Sequence, residues 1–172
     1  MVEKAIKSNG VIGMIQSKEV DGEVFEVGCL GKINDHKRTE DGRILINLYG
    51  LSRFKISEEI KNDEPFREFL VSYDFFKNDI NQNDPINTDS FNKFIENSKK
   101  LFDKQGMTLN WVELSKLKKS QQIYTLVMIS PFSVIEKQKL LEVPQVNDIA
   151  KTFVQITNFA FYEDLNKDNV IQ

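Results

Sequence analysis

Cys29 and His36 are the only cysteine and the only histidine of the chain, so they come first as candidates for nucleophilic or metal chemistry. A reactive thiolate needs a nearby cation, a histidine or a helix N-terminus that lowers its pKa. The run VFEVGCLGKI (24–33) instead places Cys29 on the apolar face of an extended segment. We therefore predict that Cys29 is a small buried side chain and that His36 is exposed in a loop.

Other pairs of chemically capable residues lie in polar segments. Ser115-Lys116 and Lys119-Ser120 have the residue types of a serine–lysine dyad, but nothing near them in sequence would desolvate the lysine into a base. The acidic pairs Glu58-Glu59 and Asp63-Glu64 are typical of solvated loops. The sequence therefore predicts no catalytic residue.

Motifs for cofactors and metals are missing as well. The segment GCLGKI (28–33) has the wrong spacing for a phosphate-binding loop and falls within a strand pattern. Neither Gly-x-Ser-x-Gly nor His-Glu-x-x-His occurs, and one cysteine with one histidine disfavours a structural zinc site. We expect no cofactor, no metal and no enzymatic activity in this chain.

The composition is that of a globular protein with one good core. The 172 residues are 40% hydrophobic and 28% charged with a net charge of -3, which disfavours both a disordered chain and a general polyanion binder. No segment approaches the roughly 18 to 20 apolar residues of a membrane span, and MVEKAIKSNG lacks the apolar region of a signal peptide. We expect a cytoplasmic protein without a membrane partner.

The first half of the chain has the period-2 pattern of β-strands. In TEDGRILINLYGLSRFKI (39–56), Asp41-Gly42 predicts a tight two-residue type I′ turn. After it, Ile44, Ile46 and Leu48 share one clearly apolar face of a strand, in alternation with Arg43, Leu45, Asn47 and Tyr49. Gly50 interrupts this run, which predicts a bend or bulge where one strand feeds the next.

A closing strand and a linker follow. FREFLVSYDFF (66–76) alternates again and predicts a strand with Phe69 and Tyr73 on the same side. The next residues, 77–87, gather Asn, Asp and Pro, which favour turns and caps. We interpret them as a linker between two subregions.

Beyond the linker the apolar period lengthens to that of helices. A first helix is predicted to begin near Asn87-Thr88 and to end at Gly106. NWVE (110–113) and SVIE (133–136) are capping-box sequences, so each predicts a helix start, and Pro144 ends the helix that SVIE begins.

Two further segments complete the second half. SQQIYTLVMIS (120–130) is apolar enough for a buried helix, although its TLVMI part also fits a strand. A stripe at i, i+3, i+4 spacing runs from Val146 to Ala160 and predicts a last helix that ends before EDLNKDN.

Five segments, in this order, resemble the N-terminal substrate-binding domain of Lon proteases. They are IGMIQ (12–16), FEVGCLGKI (25–33), DGRILINLYGLSRFKI (41–56), Pro65-Phe66 and SPFSVIEKQKLLEVP (130–144). The motif residues, to which we assign structural roles, are Gly13, Gly28, Gly31, Gly50, Arg53, Phe54, Gln138 and Leu141. The resemblance covers most of the chain and implies an α+β fold. We expect a curled mixed or antiparallel β pseudo-barrel, of the PUA-like type, over 1–85 and a C-terminal helical subdomain over 86–172.

The resemblance also implies a function. In Lon proteases this domain helps to capture unfolded or tagged polypeptides, while separate domains supply ATPase and peptidase activity. A chain of 172 residues leaves no room for those domains, so we expect a standalone, non-catalytic relative in a bacterial cytoplasm, with a protease or chaperone as a further expected partner. Phe66, Leu70 and Phe76 are our candidate polypeptide contacts, and plain packing is the alternative for each of them.

One departure from the family pattern concerns the start of the chain. The family opens with a strand and a helix containing a Glu-Pro-Arg-Tyr-like run, whereas MVEKAIKS resembles only the end of that helix. We expect either that the native chain begins earlier or that the barrel is open. An open edge would invite pairing with another chain, so the oligomeric state is left undecided.

RNA binding is the runner-up function, because related barrels serve RNA-modifying proteins. The basic residues near the predicted hairpin are Lys32, Lys37, Arg38, Arg43, Arg53 and Lys55. Acidic neighbours dilute this patch and aromatic stacking partners are not interleaved with it, so nucleic acid is disfavoured. A structural adaptor for a protease or chaperone is a third interpretation.

Overall fold

The chain folds into a sheet unit, Met1–Gln82, and a helical unit, Asn83–Gln172. The computed structural model describes residues 1–19, 22–81 and 85–170, and only the backbone at 80, 81 and 163–170. The sheet unit contains α1 (Val2–Ile6), β1 (Val11–Met14), β2 (Val27–Arg38), β3 (Ile44–Ile60), β4 (Glu68–Ser72), a 3₁₀ turn (Asp74–Phe76) and α2 (Lys77–Asn81). The helical unit contains α3 (Thr88–Lys104), α4 (Trp111–Ser115), α5 (Lys119–Ile129), α6 (Val134–Glu142) and α7 (Val146–Val170).

All strand pairs of the sheet are antiparallel, in the order β1-β2-β3-β4. The sheet is open, because among the described strands β1 and β4 each have one partner only. The α+β class predicted from the sequence, with strands first and helices second, is confirmed.

The β2–β3 hairpin differs from the predicted two-residue turn. Thr39 and Arg43 are the paired residues, since the Thr39 N–H donates to the Arg43 carbonyl at 2.9 Å, so the loop contains three residues. The Gly42 N–H donates to the Thr39 carbonyl at 3.0 Å, and Gly42 has φ +84°. This is a turn over residues 39–42 whose last residue is left-handed, the usual form of a three-residue hairpin loop. The type I′ prediction was therefore wrong, although Gly42 does supply the positive φ.

The bulge predicted at Gly50 is present, but the chain does not change strands there. Gly31 pairs with Gly50 while Leu30 pairs with Ser52, which leaves Leu51 as the extra residue. β3 continues through this bulge to Ile60 as one strand of 17 residues. A bulge bends and twists a strand without ending it, so one strand serves both β2 and β4.

The closing strand and the linker were predicted too broadly. β4 covers only Glu68–Ser72, and the residues after Tyr73 form the 3₁₀ turn and α2. The predicted linker therefore begins with helix, while 82–84 lie outside the described residues. Sequence alternation in FREFLVSYDFF could not show that Asp74–Phe76 leaves the sheet.

The helix starts were predicted correctly. Asn87 caps α3 by accepting from the N–H groups of Asp89 and Ser90, and Asn110 caps α4 by accepting from Glu113. Ser133 and Glu136 form the predicted capping box of α6. The segment SQQIYTLVMI is helical in α5, and α7 continues through the polar tail to Val170 instead of stopping near Ala160.

The helical unit holds the main apolar core. Its buried members are Phe91, Phe94, Leu101, Phe102, Leu114, Ile123, Leu126, Leu140, Val146, Ile149, Ala150, Phe153 and Ile156. Phe153 is the centre of an aromatic group, with its ring centroid 4.6 Å from Phe94 and 5.1 Å from Phe132 in edge-on contacts. Phe94, Phe132 and Phe153 thus pack together as one aromatic part of this core.

Candidate functional site

A close contact between glycines and the Phe54 ring holds the centre of the sheet. A Cβ atom on Gly28 would lie 2.6 Å from both the Phe54 ring and the Met14 carbonyl oxygen, so no larger residue fits there without a shift. Gly13 lies beside the same ring, at 3.4 Å for an added Cβ. The tip of the Phe54 ring, a residue only 2% exposed, therefore occupies space that side chains at positions 13 and 28 would otherwise fill.

Gly31 and Gly50 face each other at the bulge. An added Cβ on Gly31 would lie 3.4 Å from the Leu48 side chain, whereas one on Gly50 would meet only the Cys29 sulfur at 3.8 Å, an ordinary contact. Both distances are ordinary van der Waals contacts, so packing is tighter at Gly31 than at Gly50 but excludes a Cβ atom at neither. Gly50 lies directly before Leu51, the extra residue of the β-bulge.

Arg53 forms a buried ion pair with Asp79 of α2. Its Nε and Nη2 donate to Oδ2 and Oδ1 of Asp79 at 2.8 and 2.7 Å, and its backbone N–H donates to Oδ2 at 3.0 Å. The two side chains are 6% and 12% exposed. The guanidinium also lies 4.5 Å from the centroid of the Phe76 ring. This bidentate ion pair links β3 to α2.

The three candidate polypeptide contacts have different environments. Phe76 is only 2% exposed and packs against the Arg53 guanidinium, so a polypeptide cannot reach its side chain. Its environment is that of a core residue. Phe66 is half-buried, with the Lys4 ammonium 5.3 Å from its ring centroid. Leu70, on β4, is 52% exposed. The structure therefore leaves Leu70 open and does not bring the three side chains together at the surface.

The most exposed apolar row of the sheet lies on β3. Leu45, Tyr49 and Leu51 are 59%, 64% and 38% exposed, on alternate positions, while Ile44, Ile46 and Leu48 are half-buried. Our sequence reasoning used the second set and passed over the first. The signal was available, because a strand with one solvated face normally carries polar residues at those positions.

The backbone edge next to this row is also open. β2 pairs with one side of β3, and β4 pairs with the other side only from Lys55 onward. The Arg53 N–H is already taken by Asp79. Residues 44–52 therefore present an edge to which no described strand is paired, about 30 Å long at the usual rise per residue. Such an edge can accept an extended segment as an additional strand.

Cys29 and His36 are both strand residues. Cys29 is half-buried, and burial raises the pKa of its thiol, with the Asp79 charge as a smaller contribution, so it is less reactive than a free cysteine. His36 is exposed opposite Ile46 within β2, not in the loop where we expected it. Among the described residues no group of three metal-ligating side chains occurs.

The two motif residues of the helical unit lie on α6. Gln138 is buried, and its Nε2 donates to Glu142 Oε1 at 2.9 Å. Leu141 is half-buried, whereas its neighbour Leu140 is the core residue at 1% exposed.

The basic residues near the hairpin are largely paired with carboxylates. Arg38 contacts Glu3, Arg43 contacts Asp41, and Lys55 lies 3.2 Å from Glu26. Hydrogen bonds from Arg43 and Thr39 hold the pKa of Asp41 below its ordinary value, and the Arg38 pair does the same for Glu3. With Arg53 buried on Asp79, Lys32 and Lys37 are the members of the set for which the described residues provide no carboxylate partner.

The fold is of the α+β class, with an open antiparallel sheet followed by helices. Its sheet unit carries the Phe54 ring against Gly28 and the buried Arg53–Asp79 pair. The sequence matches the model of the ATP-dependent protease La (LON) substrate-binding domain over residues 1–157. The chain belongs to this family, and the resemblance drawn from its motifs is confirmed. No curated protein sequence matches it.

Two solved structures have the same fold. The crystal structure of a Lon N-terminal domain protein from Xanthomonas campestris is 15% identical with a TM-score of 0.62, over 90% of this chain and 80% of that one. The N-terminal domain of a Mycobacterium avium complex Lon protease is 14% identical with a TM-score of 0.58, over 91% and 82%. In the described part of the chain, no helix is long and apolar enough to cross a membrane.

Proposed function

We propose that this chain is a non-catalytic module that binds unfolded or tagged polypeptides at the open edge of β3. The observation that carries this proposal is the coincidence, over residues 44–52, of an edge to which no described strand is paired and three exposed apolar side chains, Leu45, Tyr49 and Leu51. Membership of the LON substrate-binding family supports the same class of ligand.

Binding in this mode combines two physical contributions. Backbone groups of an extended segment pair with those of β3 and so do not depend on the sequence of the ligand. Its apolar side chains cover Leu45 and Tyr49, each of which buries apolar surface and favours association. An unfolded chain offers both features, while a folded protein has already paired its backbone. Leu70 and half-buried Phe66 extend the apolar surface toward β4 as secondary contacts.

Nucleic acid is the weaker alternative for this surface. Four of the six basic residues that suggested it are engaged with carboxylates: Arg38, Arg43, Arg53 and Lys55. Phosphate binding depends on lysine and arginine charges that are available to release counterions. The remaining two lysines are too few for a tight phosphate track.

The test is a binding titration with a fluorescent, permanently unfolded protein at low and high salt, with a short RNA in parallel. We expect the polypeptide to bind with little dependence on salt, because the contacts are apolar and backbone contacts. The double variant Leu45→Lys/Tyr49→Lys should weaken binding about tenfold or more, since it removes apolar burial on one face of the edge.

The matched control is Val134→Lys/Ile135→Lys, which changes two exposed apolar residues of α6, 53% and 66% exposed. It should leave the affinity within about twofold, as expected of exposed substitutions that do not belong to the proposed binding edge. Loss of binding in Phe66→Ala/Leu70→Ala alone would move the site to β4. Salt-sensitive binding of RNA alone would overturn the proposal, and silence toward both ligands would favour an adaptor with one dedicated partner, such as a protease or chaperone.

A further inference from the structure

A second binding surface lies on the helical unit, remote in sequence from β3. α3, α4 and α5 enclose a groove of about 680 Å³. Its apolar wall contains Phe91, Trp111 and Leu114, and Lys99 and Lys119 stand among the lining residues. The volume lies within the range of ligand sites that accept several side chains or a small molecule.

The two lysines give this groove a positive character. The Lys99 ammonium lies 5.6 Å from the Trp111 ring centroid, and the Lys119 ammonium lies 5.2 Å from that of Phe91. Lys119 also reaches the Thr88 hydroxyl at 3.4 Å. Neither lysine has a carboxylate partner among the described side chains, although other surface lysines of this unit do.

The acidic residue in the groove does not cancel that charge. Glu96 is paired with Lys100 at 2.7 Å, and this contact holds the pKa of Glu96 below its ordinary value. Lys116, at the margin of the groove, is likewise paired with Glu113 at 2.6 Å. Among the described residues that line the groove, the charges without a carboxylate partner are therefore those of Lys99 and Lys119.

We propose that this groove binds an acidic peptide segment carrying apolar side chains. Carboxylates of the peptide would pair with Lys99 and Lys119, and a leucine or phenylalanine would pack on Trp111 and on Leu117, a lining residue that is 41% exposed. The positive charge of the groove favours an acidic peptide over a basic one. Its apolar wall favours a peptide with apolar side chains over one that carries acidic residues alone. This ligand preference belongs to the groove itself and does not depend on binding at β3.

A single-stranded nucleic acid fits the groove less well. Nucleobases bind by stacking on open aromatic faces. Here Phe91 is 9% exposed, and Trp111 is half-buried, in edge contact with Phe102, with a ring centroid distance of 6.0 Å. A lysine already lies over each ring, so neither offers an open face.

Trp111 makes the test direct, because it is the only tryptophan of the chain and it lines the groove. The full-length protein is titrated with a Trp-free peptide of about twelve residues built from Asp, Glu, Leu and Phe, while Trp111 emission is recorded. A peptide with Lys in place of the acids, an oligoglutamate without apolar residues and a short oligonucleotide serve as comparison ligands. We expect a saturable emission change with the first peptide only.

The variant is Lys99→Glu/Lys119→Glu, and its control is Lys61→Glu/Lys139→Glu, which changes the net charge equally at exposed positions outside the groove. Exposed ion pairs contribute modestly, so we expect about a tenfold loss of affinity in the first variant and less than about twofold in the second. Far-UV circular dichroism checks that both are folded. An equal emission change with the lysine peptide, with oligoglutamate or with the oligonucleotide would overturn the proposal. It would also be overturned if the acidic peptide caused no emission change, or if the first variant bound it with unchanged affinity. The Leu45→Lys/Tyr49→Lys variant should keep the Trp111 response, which separates this site from the edge of β3.

Discussion

The sheet unit and the helical unit of this protein are stabilised in different ways. Thirteen buried apolar residues of the helical unit form one connected core. In the described part of the sheet unit, the buried apolar residues are five: Ala5, Ile12, Val27, Phe54 and Phe76. The sheet unit instead contains the one strongly buried ion pair of the described residues, Arg53–Asp79.

Six of the eight motif residues lie in the sheet unit, and this difference in burial offers the reason. Where apolar burial is large, side chains of similar size can replace one another in a core, so the exact identity of each residue matters less. Where burial is small, stability depends on a few exact contacts, such as that between the Phe54 ring and Gly28.

The two units also differ in charge. The whole net charge of -3 is carried by residues 1–82, because residues 83–172 contain equal numbers of acidic and basic side chains.

The largest effect is expected from Phe153→Ala in the helical core. Removing a fully buried ring leaves a cavity, so the free energy of unfolding of this unit should fall by roughly 3–5 kcal/mol. Hydrogen exchange resolved by peptide would show the loss in α7 and α3. Phe159→Ala, which removes a ring that is 64% exposed, should change stability by no more than about 0.5 kcal/mol. Equal effects of the two variants would contradict a core centred on Phe153.

A comparable effect in the sheet unit is expected from Arg53→Ala. It leaves the Asp79 carboxylate buried without its guanidinium, which typically costs about 3–5 kcal/mol, and hydrogen exchange in β3 and β4 should report it. The control is Arg67→Ala, whose pair with Glu59 is exposed to solvent and should change stability far less.

Arg53→Met/Asp79→Leu sharpens the same point. If the loss in Arg53→Ala arises from an unpaired buried charge, replacing both partners by apolar residues should recover most of the stability. No recovery would mean that the hydrogen-bond geometry of the pair itself holds α2 on β3.

A smaller effect is expected from Gly28→Ala. The added methyl group would meet the Met14 carbonyl and the Phe54 ring at 2.6 Å, and relieving such a contact typically costs about 1–3 kcal/mol. Gly50→Ala meets only an ordinary contact at 3.8 Å and should change stability by less than about 1 kcal/mol. Chemical denaturation of both variants would decide; a Gly50→Ala effect as large as that of Gly28→Ala would refute the role of the Phe54 contact.

The smallest effect concerns pH. Hydrogen bonds from Arg67 lower the pKa of Glu59 in the folded sheet, as Lys100 lowers that of Glu96 on α3. A carboxyl whose folded pKa is lowered contributes stability above its unfolded pKa and loses it as pH falls through the folded value. Glu59→Gln should therefore be less stable than the parent at neutral pH, with the difference vanishing in acid. Unfolding measured from neutral to acidic pH, with Glu96→Gln as the helical counterpart, checks this; a difference that persists in acid would show that charge is not its cause.

The elements that could be predicted from sequence are those with local causes. Asn87, Asn110 and Ser133 cap helices through contacts three residues away, so their positions alone indicated the starts of α3, α4 and α6. The errors occurred where distant residues decide. Lys77–Asn81 is helical although its composition suggested a linker, and this helix places Asp79 on Arg53, 26 residues earlier.

The candidate site was only partly accessible from sequence. Of the candidate polypeptide contacts, Leu70 is exposed, whereas Phe76 has the same apolar character and is buried. An apolar side chain carries no local sign of whether another element will cover it. The open edge of β3 was equally hidden, because it depends on β4 pairing only from Lys55 onward.

The sequence by itself determined the family, the order of strands and helices, the caps and the glycine positions. These features follow from patterns within a few residues or from motifs retained in fixed order. Only the tertiary structure decided which apolar residues face solvent, which basic residues are already paired, and that Trp111, Lys99 and Lys119 share a groove. Burial and pairing are relations between segments far apart in the chain, and no local pattern specifies them.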